Sequence, residues 1–297
     1  MSRKAITRRE FLKNSTSLAV AGTLTFGMPK LTLSGNQDKS RVVLIRRQDL
    51  FDQNKRLREE VATQMLDEAV MALVGITEPV EAWKKIVRPG DILGVKSNVW
   101  RYLPTPPELE RAISRRALDA GVKEENISIQ DRGILSNPVF LNATALINIR
   151  PMRTHHWSGV GTLLKNYIMF VEKPYTYHGD SCADLAAIWK FPVVKDKTRL
   201  NILVMFTPLF HSVGPHNYNP EYTWNYNGLL AGFDPVAVDA VGVQIIAAKR
   251  RDYFGEDRPL NPPAKHIQLA DTRHKLGTAN PDKIELIRMG WARDRFI

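Results

Sequence analysis

Between residues 41 and 288 short β-branched runs alternate with stretches of helical period, and that alternation constrains the fold most strongly. Arg41–Arg46 reads as a strand bounded by charge. Leu57, Val61, Met65, Ala69 and Leu73 then recur at four-residue steps, the spacing of one helix face. Thr77–Val87 is a second, shorter helical stretch. Arg88-Pro89-Gly90-Asp91 is a turn, and Ile92–Val95 the next strand. Thr105 as a cap, Pro106 at the first helical position and Glu108 predict a capped helix whose inner face is Leu109, Ile113, Ala117 and Ala120, stopped by Gly121. Asn126–Gln130, Ala145–Ile149 and Leu200–Phe206 read as strands, Ser158–Phe170 and Asp184–Trp189 as helical. Asp234 and Pro235 cap and open an apolar helix to about Lys249, Lys265–Leu276 is a last helix, and Lys283–Arg288 a last strand. Such an order predicts an α/β fold: a mainly parallel sheet with helices on both faces, in one lobe or two.

The first 40 residues stand apart. Arg8 and Arg9, then Phe11, Leu12 and Lys13, lead into the charge-free stretch Asn14–Met28. This start resembles a twin-arginine export signal, which implies the twin-arginine translocation machinery as a partner and a periplasmic or other extracytoplasmic destination. Ser15–Phe26 falls short of the ~20 mostly apolar residues that span a bilayer, so no stable transmembrane anchor is expected. Residues 41–297 are left as the folded domain.

The 297 residues carry a formal net charge of +11. Residues 1–30 supply +5 of it, six basic side chains against Glu10. What remains is moderately basic and lacks the clustered stripe that nucleic-acid binding requires, so no nucleic-acid partner is expected. Cys182 is the only cysteine. A cysteine-ligated iron–sulfur cluster needs several thiolates and is not expected, and the cofactor is left unknown.

Candidate chemistry concentrates where a strand meets a helix. Arg150 to Asn166 contains His155, His156, Gly159, Gly161, Lys165 and Asn166, directly after the Ala145–Ile149 strand. Open α/β sheets bind ligands at the carboxyl ends of their strands. Gly159 and Gly161 would let backbone approach a ligand, and free N–H groups at a helix start would favour an anion. The glycine-to-lysine spacing is not that of a Walker loop. His211 and Gly214 to Asn219 form a second loop after a strand. His155, His178, His211 and His216 could offer imidazoles to a metal, but no H-E-x-x-H or H-x-x-x-H spacing supports a dedicated site. Asp239, an acid on an apolar helix, must be paired, protonated or turned to a site, beside Lys165 or Lys96. Serine-hydrolase elbows and dinucleotide fingerprints are missing.

Together Pro89-Gly90-Asp91 through Lys96 and Asn98, Ala145-Leu-Ile-Asn148 with Thr154-His155, Leu163-Leu-Lys165-Asn166, Gly214-Pro215, Gly232 through Asp239, and His266 to Glu285 resemble the domain-of-unknown-function 362 family, over residues 41–290. The resemblance implies a fold type and names no reaction. Many relatives carry iron–sulfur modules, from which this single-cysteine chain departs. The expected function is an exported protein acting on a small anionic substrate or cofactor. His155, Lys165 and Asp239 are the expected catalytic groups. Lys96, Asn98, Gly159, Gly161, Asn166, His211 and Gly214 are the expected binding groups. The alternative is a non-catalytic metal- or cofactor-binding or maturation protein.

Overall fold

The computed structural model describes residues 39–212 and 218–297. The arginine pair Arg8–Arg9 and the loop residues Gly214 to Asn217 lie outside the described residues.

Eight strands form one sheet: β1 (Ser40–Arg46), β2 (Leu93–Lys96), β3 (Ile127–Gln130), β4 (Ala145–His155), β5 (Gly159–Gly161), β6 (Thr198–Leu209), β7 (Gly228–Gly232) and β8 (Ile284–Gly290). The order is β3-β2-β4-β6-β7-β1-β8, with β5 paired to the far half of β4. Neighbours β3/β2, β2/β4, β4/β6 and β1/β8 run parallel. β7 opposes both β6 and β1. It is a five-residue run between two glycines, with no β-branched residue to announce it.

The sheet is buried on both faces. Along β1, Val42 and Leu44 enter one core while Val43 and Ile45 enter the other. Strands of this kind need cover on each side. Helices α1 (Glu59–Val74) and α2 (Pro107–Asp119), with Trp83, cover the second face. The first is covered by the short helix α3 (Leu163–Asn166), the turns after it, α4 (Pro235–Phe254) and α5 (Lys265–Thr272). This is the mainly parallel α/β architecture expected, and residues 38–297 form one compact unit rather than two lobes.

Local chemistry explains most boundaries. α1 begins with Glu59 and Glu60, which complement the helix dipole, and ends at Gly75 with φ 71°. Asp234 caps α4 by accepting from Val236 N and Ala237 N at 2.8 and 3.1 Å. Two expectations fail. The Thr105 cap does not form: α2 begins at Pro107, and a residue before proline is steered out of the helical region, which leaves Pro106 extended. Thr105 Oγ1 accepts from Asn98 N instead. Nor is Ser158–Phe170 one helix. β4 continues to His155, the chain turns, and β5 returns beside it with Arg153 opposite Gly161 and His155 opposite Gly159. Only Leu163–Asn166 is helical, followed by a 3₁₀ turn over Tyr167–Phe170.

Candidate functional site

β2 and β3 end together at one edge of the sheet, and the parallel β4 runs on past them to His155; ligands bind at such edges in open α/β folds. Lys96 closes β2, Asp131 follows β3, and Arg150 and Arg153 lie in the far half of β4. The β4–β5 hairpin and α3 then bring His155, Trp157, Lys165 and Asn166 to the same edge. Together with Asn98, Trp100 and Asp131 these side chains line a cavity of about 260 Å³.

The cations around it differ in how they are satisfied. Lys96 is fully buried and saturated: its Nζ donates to Asp131 Oδ1 at 2.5 Å, to Ser97 O at 2.7 Å and to Asn166 Oδ1 at 3.3 Å. Burial alone would raise the Asp131 carboxyl, but the Lys96 charge and hydrogen bond outweigh it and hold Asp131 below its ordinary value. Lys96 is therefore an internal ion pair and does not line the cavity.

Arg150, Arg153 and Lys165 do line it, at 2%, 8% and 4% exposure, and none has a carboxylate within ion-pair distance among the described residues. Arg150 donates one hydrogen bond, Nη1 to Thr162 O at 3.2 Å, and its Nε has no partner. Arg153 Nη1 donates to Asn98 Oδ1 at 2.9 Å, and its guanidinium lies 4.3 Å over the Trp100 ring. Lys165 Nζ has only Cys182 Sγ at 3.6 Å and the Trp157 ring at 6.0 Å. Burial, and then the Arg150 and Arg153 charges, pull Lys165 down to about 8 despite the nearby thiol. Burial lowers Arg150 to about 10, still charged at neutral pH. Asp131 and Asp239 favour the Arg150 charge only from beyond ion-pair distance, and buried charges without a direct partner are costly, so the electrostatics of the cavity favour negative charge within it.

His155 sits inside this positive field. Burial first, then Lys165, Arg150 and Arg153, push its imidazole far below the ordinary value. Its Nδ1 accepts the Trp157 N–H at 3.2 Å, which leaves Nε2 as the donor of a neutral ring. A neutral ring of this kind suits hydrogen bonding to an anion.

Asp239 is not beside a lysine. It accepts from Thr162 Oγ1 at 2.6 Å, Leu163 N at 3.0 Å and Leu164 N at 2.9 Å. Burial raises its carboxyl to about 7 against those three bonds. The acid thus occupies the N–H groups at the start of α3 that were expected to meet a ligand, and it positions the segment bearing Lys165. Asn166 is a clamp: its Nδ2 donates to Lys96 O, Asn148 Oδ1 and Ile149 O at 3.0, 2.9 and 3.2 Å, joining α3 to β2 and β4.

The glycines serve packing, not a ligand. Gly159 has φ +72°, and a Cβ there would meet Pro262 O at 2.4 Å. At Gly161 a Cβ would meet Arg150 Nη2 at 2.9 Å, so this glycine makes room for the guanidinium. His211 lies elsewhere, its Nδ1 3.0 Å from Arg250 Nη1, and Gly214 is outside the described residues.

Sequence reasoning missed Arg150, Arg153, Asp131, Trp100 and Trp157 as site residues. The available signal was two arginines close after the apolar start of β4. Their convergence was hidden because residues three apart face opposite sides of a regular strand, whereas β4 shifts register against β6 between Pro151 and Arg153. His266 on α5 was passed over too. It is fully buried with neither ring nitrogen bonded, and burial, then the Lys165 and Arg150 charges, lower it to about 3. Among the described residues no three His, Cys, Asp or Glu side chains converge as metal ligands. No helix of the described residues is long and apolar enough to cross a membrane.

Residues 111–244 match the model of a Domain of unknown function, DUF362. The match supports the family resemblance over that stretch, which carries Asp131, Arg150, Arg153, His155, Lys165, Asn166 and Asp239. Asn98 and Trp100 come to the cavity from ahead of it. No curated protein and no solved structure matches the chain.

Proposed function

We propose that the protein binds a small, doubly charged anion in this cavity, with Lys165 as the group placed to act on it. One observation carries the reading: three buried cations, Arg150, Arg153 and Lys165, share a cavity and have no carboxylate within ion-pair distance among the described residues. The one acid in the lining, Asp131, is committed to Lys96. Arg150 and Arg153 would hold anionic oxygens, the neutral His155 would donate from Nε2, and Asn98 would hold Arg153 in place. An amine near 8 exchanges a proton readily at neutral pH, so Lys165 can take one from a bound compound or return it.

The non-catalytic alternative has its own support, since the neutral His155 and the committed Asp131 leave Lys165 alone as a proton carrier. Melting the protein against phosphate, sulfate, mono- and dicarboxylates tests the binding they share. Dianions should raise the melting temperature more than monoanions, and no shift with any of them would refute the anion reading. Turnover absent from Lys165→Met even when that variant is saturated with the anion would favour the enzyme.

We propose also that the chain is exported through the twin-arginine route. The support is Arg8-Arg9 ahead of a charge-free stretch. Replacing both arginines by lysine should retain the protein inside the cell, and unchanged fractionation would reject the route.

A further inference from the structure

We infer that the anion taken by this cavity is carried on a planar aromatic body, a ring bearing a phosphate or similar dianionic group. The inference rests on the anion reading above and adds the rest of the ligand.

The cavity is graded. Arg150 and Lys165 are 2% and 4% exposed, whereas Trp157 in the same lining is 45% exposed. An anion drawn to the buried cations leaves its remaining atoms against the outer wall. That wall includes Trp157, His178, Met169 and Pro174. The Trp157 indole is a fixed platform. The ring stacks on His178 at 3.9 Å and 25°, and the backbone that carries it is pinned: the Trp157 backbone N–H donates to His155 Nδ1 and its backbone carbonyl accepts from Cys182 Sγ.

Trp100 reaches the same cavity from the segment after β2. Arg153 lies over its face, and Tyr102 and Tyr218 meet it edge-on at 5.2 and 5.8 Å. Two braced indoles from separate segments are more than a bare oxyanion needs. The cavity of about 260 Å³ is roughly the share of nine waters, more than the five heavy atoms of phosphate fill. A flat ring would cover apolar surface that otherwise faces water, and aromatic pairs gain beyond that burial.

Calorimetry with inorganic phosphate, methyl phosphate and phenyl phosphate tests this. Phenyl phosphate should bind the wild-type protein about tenfold tighter than methyl phosphate, the scale of one ring contact plus its burial. Trp157→Ala should erase that preference, read as the ratio of phenyl to methyl phosphate affinity within the same protein, and Trp157→Phe should keep most of it. Equal binding of methyl and phenyl phosphate would sink the inference and leave the anion reading standing. Binding of none of the three would remove both. Loss of inorganic phosphate binding in Trp157→Ala would show the indole merely supporting Lys165. Should the alanine variant melt early, the wild-type series and Trp157→Phe decide.

Discussion

Two buried arginines, Arg150 and Arg250, meet opposite fates. Arg250, on α4, donates to Arg258 O, Phe210 O and Pro259 O at 2.8, 3.0 and 3.2 Å and meets His211 Nδ1 at 3.0 Å. Its guanidinium is spent on closing loops. Arg150 has a single carbonyl and an Nε with nothing to meet. A buried cation whose donors are consumed is structural, whereas one with donors to spare keeps the capacity for a ligand that the proposed function assigns to it. Lys96 and Lys165 repeat the contrast, one locked to Asp131 and the other with only a thiol beside it.

The sharpest way to break this comparison is to replace each arginine by methionine. Arg250→Met strands several buried carbonyls and should cost about 3 kcal/mol in urea unfolding. Arg150→Met removes an uncompensated charge and should leave stability equal or higher by about 1 kcal/mol, while weakening dianion binding about a hundredfold. Equal destabilisation by the two would erase the distinction.

Two glycines sharpen it at smaller scale. Gly159→Ala drives a Cβ into backbone, Pro262 O at 2.4 Å, at a positive φ, and should cost about 2 kcal/mol by thermal melting. Gly161→Ala crowds the flexible end of the Arg150 side chain, Nη2 at 2.9 Å, and makes ordinary contact with Arg153 Cγ at 3.5 Å. It should fold normally yet weaken anion binding about tenfold by displacing that guanidinium. Normal binding in Gly161→Ala would show that Arg150 does not hold the ligand.

A further expected effect is a pH dependence set by Lys165. Its folded value lies below that of the unfolded chain, so the unfolded state holds more protons above pH 8. The cost of burying the ammonium is fully present below about pH 8 and relieved as pH rises toward the ordinary value of 10.5. Dianion affinity should run the other way, falling as pH rises through about 8. Lys165→Met should flatten both trends, and an unchanged binding profile in that variant would remove Lys165 from the site.

Much of the fold was legible because periodicity reports burial. Val42 to Ile45, the four-residue steps of α1 and the Asp234 cap each follow from local chemistry. β7 was not, since a short run between glycines has no local preference to read. The site was half legible. Lys165 and Asn166 stood out because they sit at a strand–helix junction, and both line the cavity. Their partners depend on a hairpin and a register shift that no local pattern encodes, and Asp239 reached α3 rather than a lysine across 75 residues or more of chain.

The most direct test of the unsatisfied cations is a calorimetric titration of the folded protein with inorganic phosphate at pH 7, beside Arg150→Met and Lys165→Met. The account predicts one site on the wild type, weakened about a hundredfold or more in each variant. An identical titration in all three proteins, or no heat of binding in the wild type, would contradict it.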